Sequence, residues 1–201
     1  MSEDIFNMRE DKMLSYIIFT FANSCMPTLF KHKPSSLVTF QKRYIEKEEI
    51  FFRTLVAEAA RFSCCCELLH ENEKVLYVLV YQPELLEEIL KKYGNNPLLK
   101  NHGYKIQERL LSFNLKVFQA RFQKYKREAE FDFPHEVGIF LGYPIEDVEE
   151  YVKNNGENYL LCGYWKVYHN VEEALLTFAY FKRIREEAIQ LFFSGEELSC
   201  V

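Results

Sequence analysis

Apolar residues recur at three- and four-residue spacing in several long stretches of the chain, and short β-prone runs lie between these stretches. The spacing predicts helices over 11–23, 46–62, 84–93, 105–128 and 171–193. Short strands are predicted over 37–40, 64–69 and 75–81. The last two strands form a hairpin, because a polar turn separates them. The run 75–81 is apolar on both faces, so we expect its strand to be central in a sheet.

The stretch 133–168 carries the clearest succession of turn, helix and strand signals. Its apolar run 137–141 is closed by Gly142 and predicts a short strand. Pro144 predicts the first turn of a helix, because a missing N–H group costs nothing there. The β-prone run 159–168 then predicts a second strand.

This order of elements predicts an α+β fold, in which helices pack on a mixed sheet of about five strands. An α/β fold is the alternative. The chain has 201 residues, of which 48% are hydrophobic, and this fits a single domain over 1–201. The polar stretch 128–132 is a candidate for a weak joint. The 18 Phe and 13 Tyr residues indicate a core of large packed side chains rather than a cofactor, and we predict no cofactor.

The charge balance argues against several classes of protein. A formal net charge of −5 disfavours a nucleic-acid binder whose affinity comes from neutralising phosphates. The N-terminal residues are acidic, unlike a secretory signal, and no apolar run reaches the length that spans a bilayer. We therefore expect a cytoplasmic protein that binds neither nucleic acid nor membranes.

Six cysteines raise the questions of disulfides, metals and nucleophiles. In a protein without a secretory signal they are expected to be reduced thiols. Neighbouring side chains on a strand point to opposite faces, so at most Cys64 and Cys66 could share an ion, and no spacing completes four ligands. We therefore predict no metal site. Cys25 follows a helix, whose dipole disfavours a thiolate there, and we interpret it as a small buried hydrophobe unless a basic neighbour reaches it.

One group of polar residues forms a candidate ligand site. His135 and Glu136 lie in a glycine-punctuated segment before the helix at Pro144, and alternation along 159–168 places a thiol, phenols and an amine on one face. The candidate ligand-binding residues are His135, Glu136, Tyr143, Cys162, Tyr164 and Lys166. Such a site could bind an anion, with Lys166 supplying the charge. The alternative is structural: His135 or Glu136 ties a loop, and Tyr164 and Tyr168 cover the stem of Lys166.

The predicted helix 105–128 carries a basic cluster in an otherwise acidic chain. No acid lies between Lys116 and Glu128. The candidate partner-binding residues are Lys116, Arg121, Lys124 and Arg127, with Lys126 beside them. Such a face would attract an acidic protein. The alternative is a solvated helix face without a partner.

Several motifs resemble one bacterial family of unknown function. HEVGIFLGYPIEDV and LCGYWKVY are similar to the signature of the domain-of-unknown-function family 3793, and CMPTL, KPSSL and LVYQPELLEE also agree with its pattern. The resemblance covers nearly the whole chain and implies no established activity. It implies a protein found mainly in anaerobic bacteria, whose gene often lies near flavodoxin or iron-uptake genes. A flavodoxin is therefore the acidic partner that the resemblance suggests.

Two main functional hypotheses follow. The first is an adapter or regulatory binding protein, linked through the resemblance to flavodoxin or iron metabolism. The second is a small-molecule binding protein or enzyme with a site near His135 and Lys166. A metal or haem protein is a third hypothesis, which would require folding to gather the cysteines or histidines. No catalytic residue is assigned, because the sequence contains none of the usual nucleophile or HExxH motifs.

Overall fold

The computed structural model describes residues 11–105 and 110–198, and it has the predicted α+β fold. The helices are α1 (Lys12–Ser24), α2 (Met26–Leu29), α3 (Glu48–Ala60), α4 (Pro83–Lys92), α5 (Pro97–Lys100), α6 (Leu111–Arg127), α7 (Val137–Phe140), α8 (Ile145–Lys153) and α9 (Val171–Ser194). The strands are β1 (Ser35–Gln41), β2 (Cys65–Glu71), β3 (Val75–Tyr81), β4 (Leu161–Cys162) and β5 (Lys166–Val167). The prediction of one mixed sheet is wrong, because the strands within these ranges form two antiparallel sheets of three and two strands.

Close contacts divide the chain into two compact units. Among the described residues, the first unit holds those up to Gln82 together with those from Arg183 onward, and the second holds those between Pro83 and Lys182. The single domain over 1–201 and the joint at 128–132 stay predictions. Over 11–105 and 110–198, no helix is both long and apolar enough to cross a membrane.

The first unit is built on a three-stranded sheet with β3 at its centre. The strand order is β1-β3-β2, which confirms the central position predicted from the apolar run. Leu76, Leu79 and Val80 of β3 are fully buried, because both faces and both edges of this strand are covered. Helices α1 and α3 contribute aromatic side chains to the core, where Phe40 of β1 meets Phe51 of α3 with ring centroids 5.0 Å apart.

The second unit contains α4 to α8, the β4-β5 hairpin and the first part of α9. Its core stacks Phe118 of α6 on Phe140 of α7, with ring centroids 4.3 Å apart and planes 16° from parallel. Leu86 and Leu90 of α4 are buried in the same unit. Helix α6 begins at Leu111, and the part of the predicted helix over 106–109 lies outside the described residues.

The predicted strand over 137–141 is wrong, because these residues form the short helix α7. Backbone N–H groups of Phe140 and Leu141 donate to the carbonyl oxygens four residues earlier. A short apolar run fits a buried helix as well as a strand, and the pattern alone does not separate them. Gly138 allows α8 to approach, since a Cβ atom there would lie 2.7 Å from Cγ2 of Val148.

The predicted single strand over 159–168 is also wrong, because the chain reverses within it. Leu161 pairs with Val167 and Cys162 pairs with Lys166, which makes an antiparallel hairpin. The turn is at Gly163, whose N–H group donates to the carbonyl of Trp165 at 3.0 Å. A Cβ atom at Gly163 would lie 2.2 Å from the Phe178 ring of α9, so only glycine lets the turn pack there.

Candidate functional site

A fully buried carboxylate, Glu136, is the centre of the polar network of the second unit. It lies at the start of α7 and has no exposed surface. Its Oε1 atom accepts hydrogen bonds from Nε of Arg121 and, at 3.0 Å, from the hydroxyl of Tyr104. Nη2 of Arg121 lies 3.3 Å from Oε2. A buried charge is tolerated only when it is paired and hydrogen-bonded, and these two partners meet that condition.

Tyr104 is held beside Glu136 by a backbone clamp. Oδ1 of the buried Asn114 accepts from the N–H group of Lys105 at 2.9 Å, and Nδ2 of Asn114 donates to the Lys105 carbonyl at 2.8 Å. Burial, followed by the negative charge of Glu136, raises the pKa of Tyr104 well above its usual range. The phenol therefore keeps its proton and acts as a donor.

Arg121 is placed differently from its basic neighbours on α6. Helical residues turn about 100° each, so Lys124 and Arg127 lie within about 80° of Lys116, whereas Arg121 lies about 140° away. Arg121 is accordingly half-buried against Glu136. Among the predicted partner-binding residues it therefore belongs to the buried network. The helical spacing in the sequence could have shown that Arg121 lies on a different face from Lys116, Lys124 and Arg127.

The basic stripe, defined as Lys116, Lys124 and Arg127, remains on the exposed face of α6. Helix α6 contains no acidic residue. Lys124 makes one long ion pair with Glu128, at 3.8 Å, which is worth little at an exposed position. Lys126 lies to the side, over the rings of its helix neighbours.

His135 does not join the Glu136 network among the described residues. It is half-buried between the rings of Phe133 and Tyr151, whose centroids are 5.4 Å and 5.7 Å from its own. Its Nδ1 atom is buried and has no hydrogen-bond partner in the described part of the chain. Burial lowers the pKa of His135, which favours the neutral ring.

Lys166 and His135 both contact the ring of Tyr151. Its Nζ atom is 5.7 Å from the centroid of Tyr151 and 4.8 Å from that of Tyr159, and it donates to the Gly156 carbonyl at 2.6 Å. Tyrosines thus cover this lysine, as in the structural alternative, although they are not the residues predicted for that role. The hydroxyl of Tyr168 is the second buried polar atom without a described partner near this group.

Tyr143 and Tyr164 lie at the turn of the β4-β5 hairpin, whereas Cys162 pairs directly with Lys166. Tyr143 stacks on Trp165 with ring centroids 5.2 Å apart, and its hydroxyl donates to the Tyr164 carbonyl at 3.2 Å. Tyr164 is exposed on the hairpin turn and contacts Phe181. Cys162 is exposed opposite Lys166 in the hairpin. The predicted set is therefore divided between the His135 side and the hairpin turn.

Asp147 has a structural role that the sequence pattern did not indicate. This buried carboxylate of α8 accepts from Trp165 Nε1 at 2.7 Å and from the N–H groups of Tyr168 and His169 at 2.8 Å and 3.0 Å. It therefore fixes the β4-β5 hairpin and the turn before α9. The sequence showed only an acid in the first turn of a helix, and its partners become neighbours only on folding.

The structure gives no support for a metal centre over 11–105 and 110–198, where no three His, Cys, Asp or Glu residues are arranged to hold an ion. The cysteines within these ranges are free thiols, and Cys200 lies outside them. The prediction of six reduced thiols in the cell stays a prediction.

The fold and the site together define an α+β protein with a buried Glu136 network and an exposed basic stripe. The chain belongs to the family described as protein of unknown function (DUF3793), whose family model matches residues 21–201. This confirms the resemblance in the sequence motifs. Comparison with curated proteins and with solved structures gives no significant match.

Proposed function

We propose that the protein is an adapter or regulatory binding protein that docks an acidic protein partner through the basic stripe. The observation that carries the proposal is the orientation of Lys116, Lys124 and Arg127, which project from one exposed face of a helix without acids. These three positive charges create a local positive field on a chain whose net charge is −5. Such a field complements an acidic protein surface.

The buried network supports this role by holding the helix in place. Glu136 and Phe140 of α7 fix the inner side of α6 through Arg121 and Phe118. The stripe is therefore presented from a rigid element, which reduces the ordering cost of binding. A flavodoxin is the partner class that we propose, on the basis of the family resemblance, and the protein would then act in the cytoplasm.

The direct test is titration of the protein with a purified bacterial flavodoxin at increasing salt. Raising the ionic strength from about 0.05 M to about 0.5 M shortens the screening length from about 14 Å to about 4 Å. We expect the dissociation constant to rise at least about tenfold over this range, because exposed charge pairs are screened. Binding that salt leaves unchanged, or no binding at low salt, would contradict the proposal.

A second candidate function is binding of a small anion beside Tyr151. The observation that favours it is the pair of buried polar atoms, His135 Nδ1 and Tyr168 Oη, which have no partner in the described residues. A buried polar group without a partner is costly, and a bound molecule could supply one. Lys166, with three donors of which Gly156 takes one, would supply the positive charge.

Inorganic phosphate is the probe for this second function. We expect phosphate, compared with chloride at equal ionic strength, to raise the melting temperature of the wild type. The shift should disappear in Lys166→Met and His135→Gln and persist in Lys153→Met, which removes an exposed lysine nearby. No shift in the wild type, or an equal shift in Lys166→Met, would count against an anion site.

A further inference from the structure

The first turns of α9 carry an apolar surface that faces outward. Leu175 is 50% exposed and Leu176 is 70% exposed. Both leucines belong to the second unit, as does α9 up to Lys182. Single exposed apolar residues are common on protein surfaces, whereas adjoining ones mark a candidate interaction surface.

The turn of the β4-β5 hairpin extends this surface on one side. Tyr164 is 43% exposed, and its ring centroid lies 5.5 Å from that of Phe178 and 5.4 Å from that of Phe181. Phe178 lies about 60° around the helix from Leu175, because a separation of three residues turns a side chain by about 300°. Tyr164 therefore borders the exposed leucines.

Helix α9 buries the opposite face in the core, where Ala174 and Phe181 lie. The outer face of α9 is defined as its exposed residues Glu172, Leu175, Leu176, Ala179 and Lys182. Helical residues turn about 100° each, so the other four residues lie within about 60° of Ala179. The two leucines and the alanine thus form an apolar strip with an acid near one end and a base at the other.

The charges of this outer face are complementary to those of the same face on a second copy. Glu172 and Lys182 lie five residues on either side of Thr177, which is about 7.5 Å along the helix axis in each direction. In two antiparallel helices that cross at the level of Thr177, Glu172 of each copy faces Lys182 of the other. A parallel pair would set like charges against each other, which is unfavourable. The order of charges therefore favours an antiparallel pair.

The apolar residues match in the same arrangement. Leu175 and Ala179 lie two residues on either side of Thr177, so the leucine of each copy packs on the alanine of the other. The small alanine side chain lets two helix axes approach to the usual separation of about 8 to 10 Å. Leu176 and Tyr164 then flank the contact and lose exposed apolar surface.

We propose that the protein forms a symmetric dimer through the outer face of α9, with a second copy of the chain as the partner. A two-fold axis at the level of Thr177 uses the same patch on both copies, as in other isologous dimers. The contact involves the outer face and Tyr164 of each copy, which is far fewer than the about 20 to 30 residues per side of a standard interface. The dimer is therefore weak and depends on concentration.

The first measurement is sedimentation equilibrium of the full-length protein between about 5 μM and about 500 μM, a range suited to a weak complex. We expect the average mass to rise from 24.0 kDa towards twice that value as the concentration increases. A mass that stays at 24.0 kDa over the whole range would overturn the proposal.

Charge variants test the antiparallel contact itself. Glu172→Lys and Lys182→Glu each place like charges at both ends of the contact, so each should raise the dissociation constant at least about tenfold. An equimolar mixture of the two variants restores both pairs of opposite charges. Its association should return to within about threefold of the wild type. Such recovery requires contact between copies, because each chain still carries its own substitution.

Lys153→Glu is the matched control, because it changes the net charge as Lys182→Glu does at an exposed position elsewhere in the same unit. It should leave the association of the wild type unchanged. A mixture of Glu172→Lys and Lys182→Glu that associates no better than either variant alone would overturn the proposal. Equal weakening by Lys153→Glu and Lys182→Glu would also overturn it.

Discussion

Glu136 shows at the scale of one residue why this chain retains a charge in its interior. The carboxylate has no exposed surface, and its cost is offset by a guanidinium and a phenol that reach it from two other segments. Removing one member of a buried pair leaves the other charge uncompensated, which costs about 3 to 5 kcal/mol in fully buried cases. Arg121 keeps some exposure, so the lower end of that range applies here.

The substitution Glu136→Gln is therefore expected to lower the free energy of unfolding by about 3 kcal/mol, because Arg121 loses its counter-charge. Urea unfolding at pH 7 measures the effect. The matched control is Glu130→Gln, at an exposed position, which should change the unfolding free energy by less than about 0.5 kcal/mol. Equal midpoints for both variants would show that the Glu136 network contributes nothing to stability.

At the scale of one element, α6 has one face that packs in the core and one that is exposed. The face that carries Phe118 and Arg121 packs on α7, whereas the face that carries the basic stripe is exposed. Both faces follow from the helical repeat, since a separation of five residues turns a side chain by about 140°. A charge reversal intended to test docking must therefore leave Arg121 intact.

The β4-β5 hairpin is the element that depends most on a single side chain. In Asp147→Asn, an NH2 group replaces one of the two carboxylate oxygens. This group would face one of the donors that now bind Asp147, which are Trp165 Nε1 and the N–H groups of Tyr168 and His169. We expect a loss of about 1 to 3 kcal/mol of stability. Faster amide exchange at Tyr168 and His169, measured by mass spectrometry, should accompany it. Unchanged exchange there would contradict the anchoring role.

The sequence predicted the long helices, and it predicted the strand whose two faces are both apolar. The central strand β3 followed from an apolar run on both faces, and α1, α3, α4, α6 and α9 followed from helical spacing. The run 137–141 was too short to decide between helix and strand. The reversal at Gly163 depends on its approach to Phe178, and the role of Asp147 depends on Trp165; both are contacts between separate elements that local patterns do not encode.

At the scale of the whole molecule, buried thiols make stability depend on alkaline pH. Burial raises the pKa of Cys64 and of Cys66 to about 12, and it also raises the pKa of Cys25 well above its usual range. The unfolded chain releases these protons at about pH 8.5, so their contribution to stability is present below that pH and is lost as the pH rises towards 12. The pKa of Lys33 is lowered to about 8. Its effect on stability is the opposite, because stability rises as the pH rises above about 8, but it is one group against three thiols.

We therefore expect the urea midpoint to fall steadily from pH 8 to pH 10.5. Cys64→Ala should make this fall shallower, since one proton fewer is released on unfolding. Cys162→Ala removes an exposed thiol and serves as the control, with a slope equal to that of the wild type. A midpoint that is constant or rises over this pH range would contradict the thiol account.

The most direct test of the docking proposal compares two triple charge reversals in flavodoxin titrations at low salt. One variant carries Lys116→Glu, Lys124→Glu and Arg127→Glu in the basic stripe, and the other carries Lys91→Glu, Lys92→Glu and Lys100→Glu at exposed positions elsewhere in the same unit. Each set changes the net charge of −5 by three times −2, to −11, so the long-range repulsion is matched. We predict that the stripe variant weakens binding at least about tenfold more than the control variant. Equal weakening by both variants, or none, would contradict docking through the stripe.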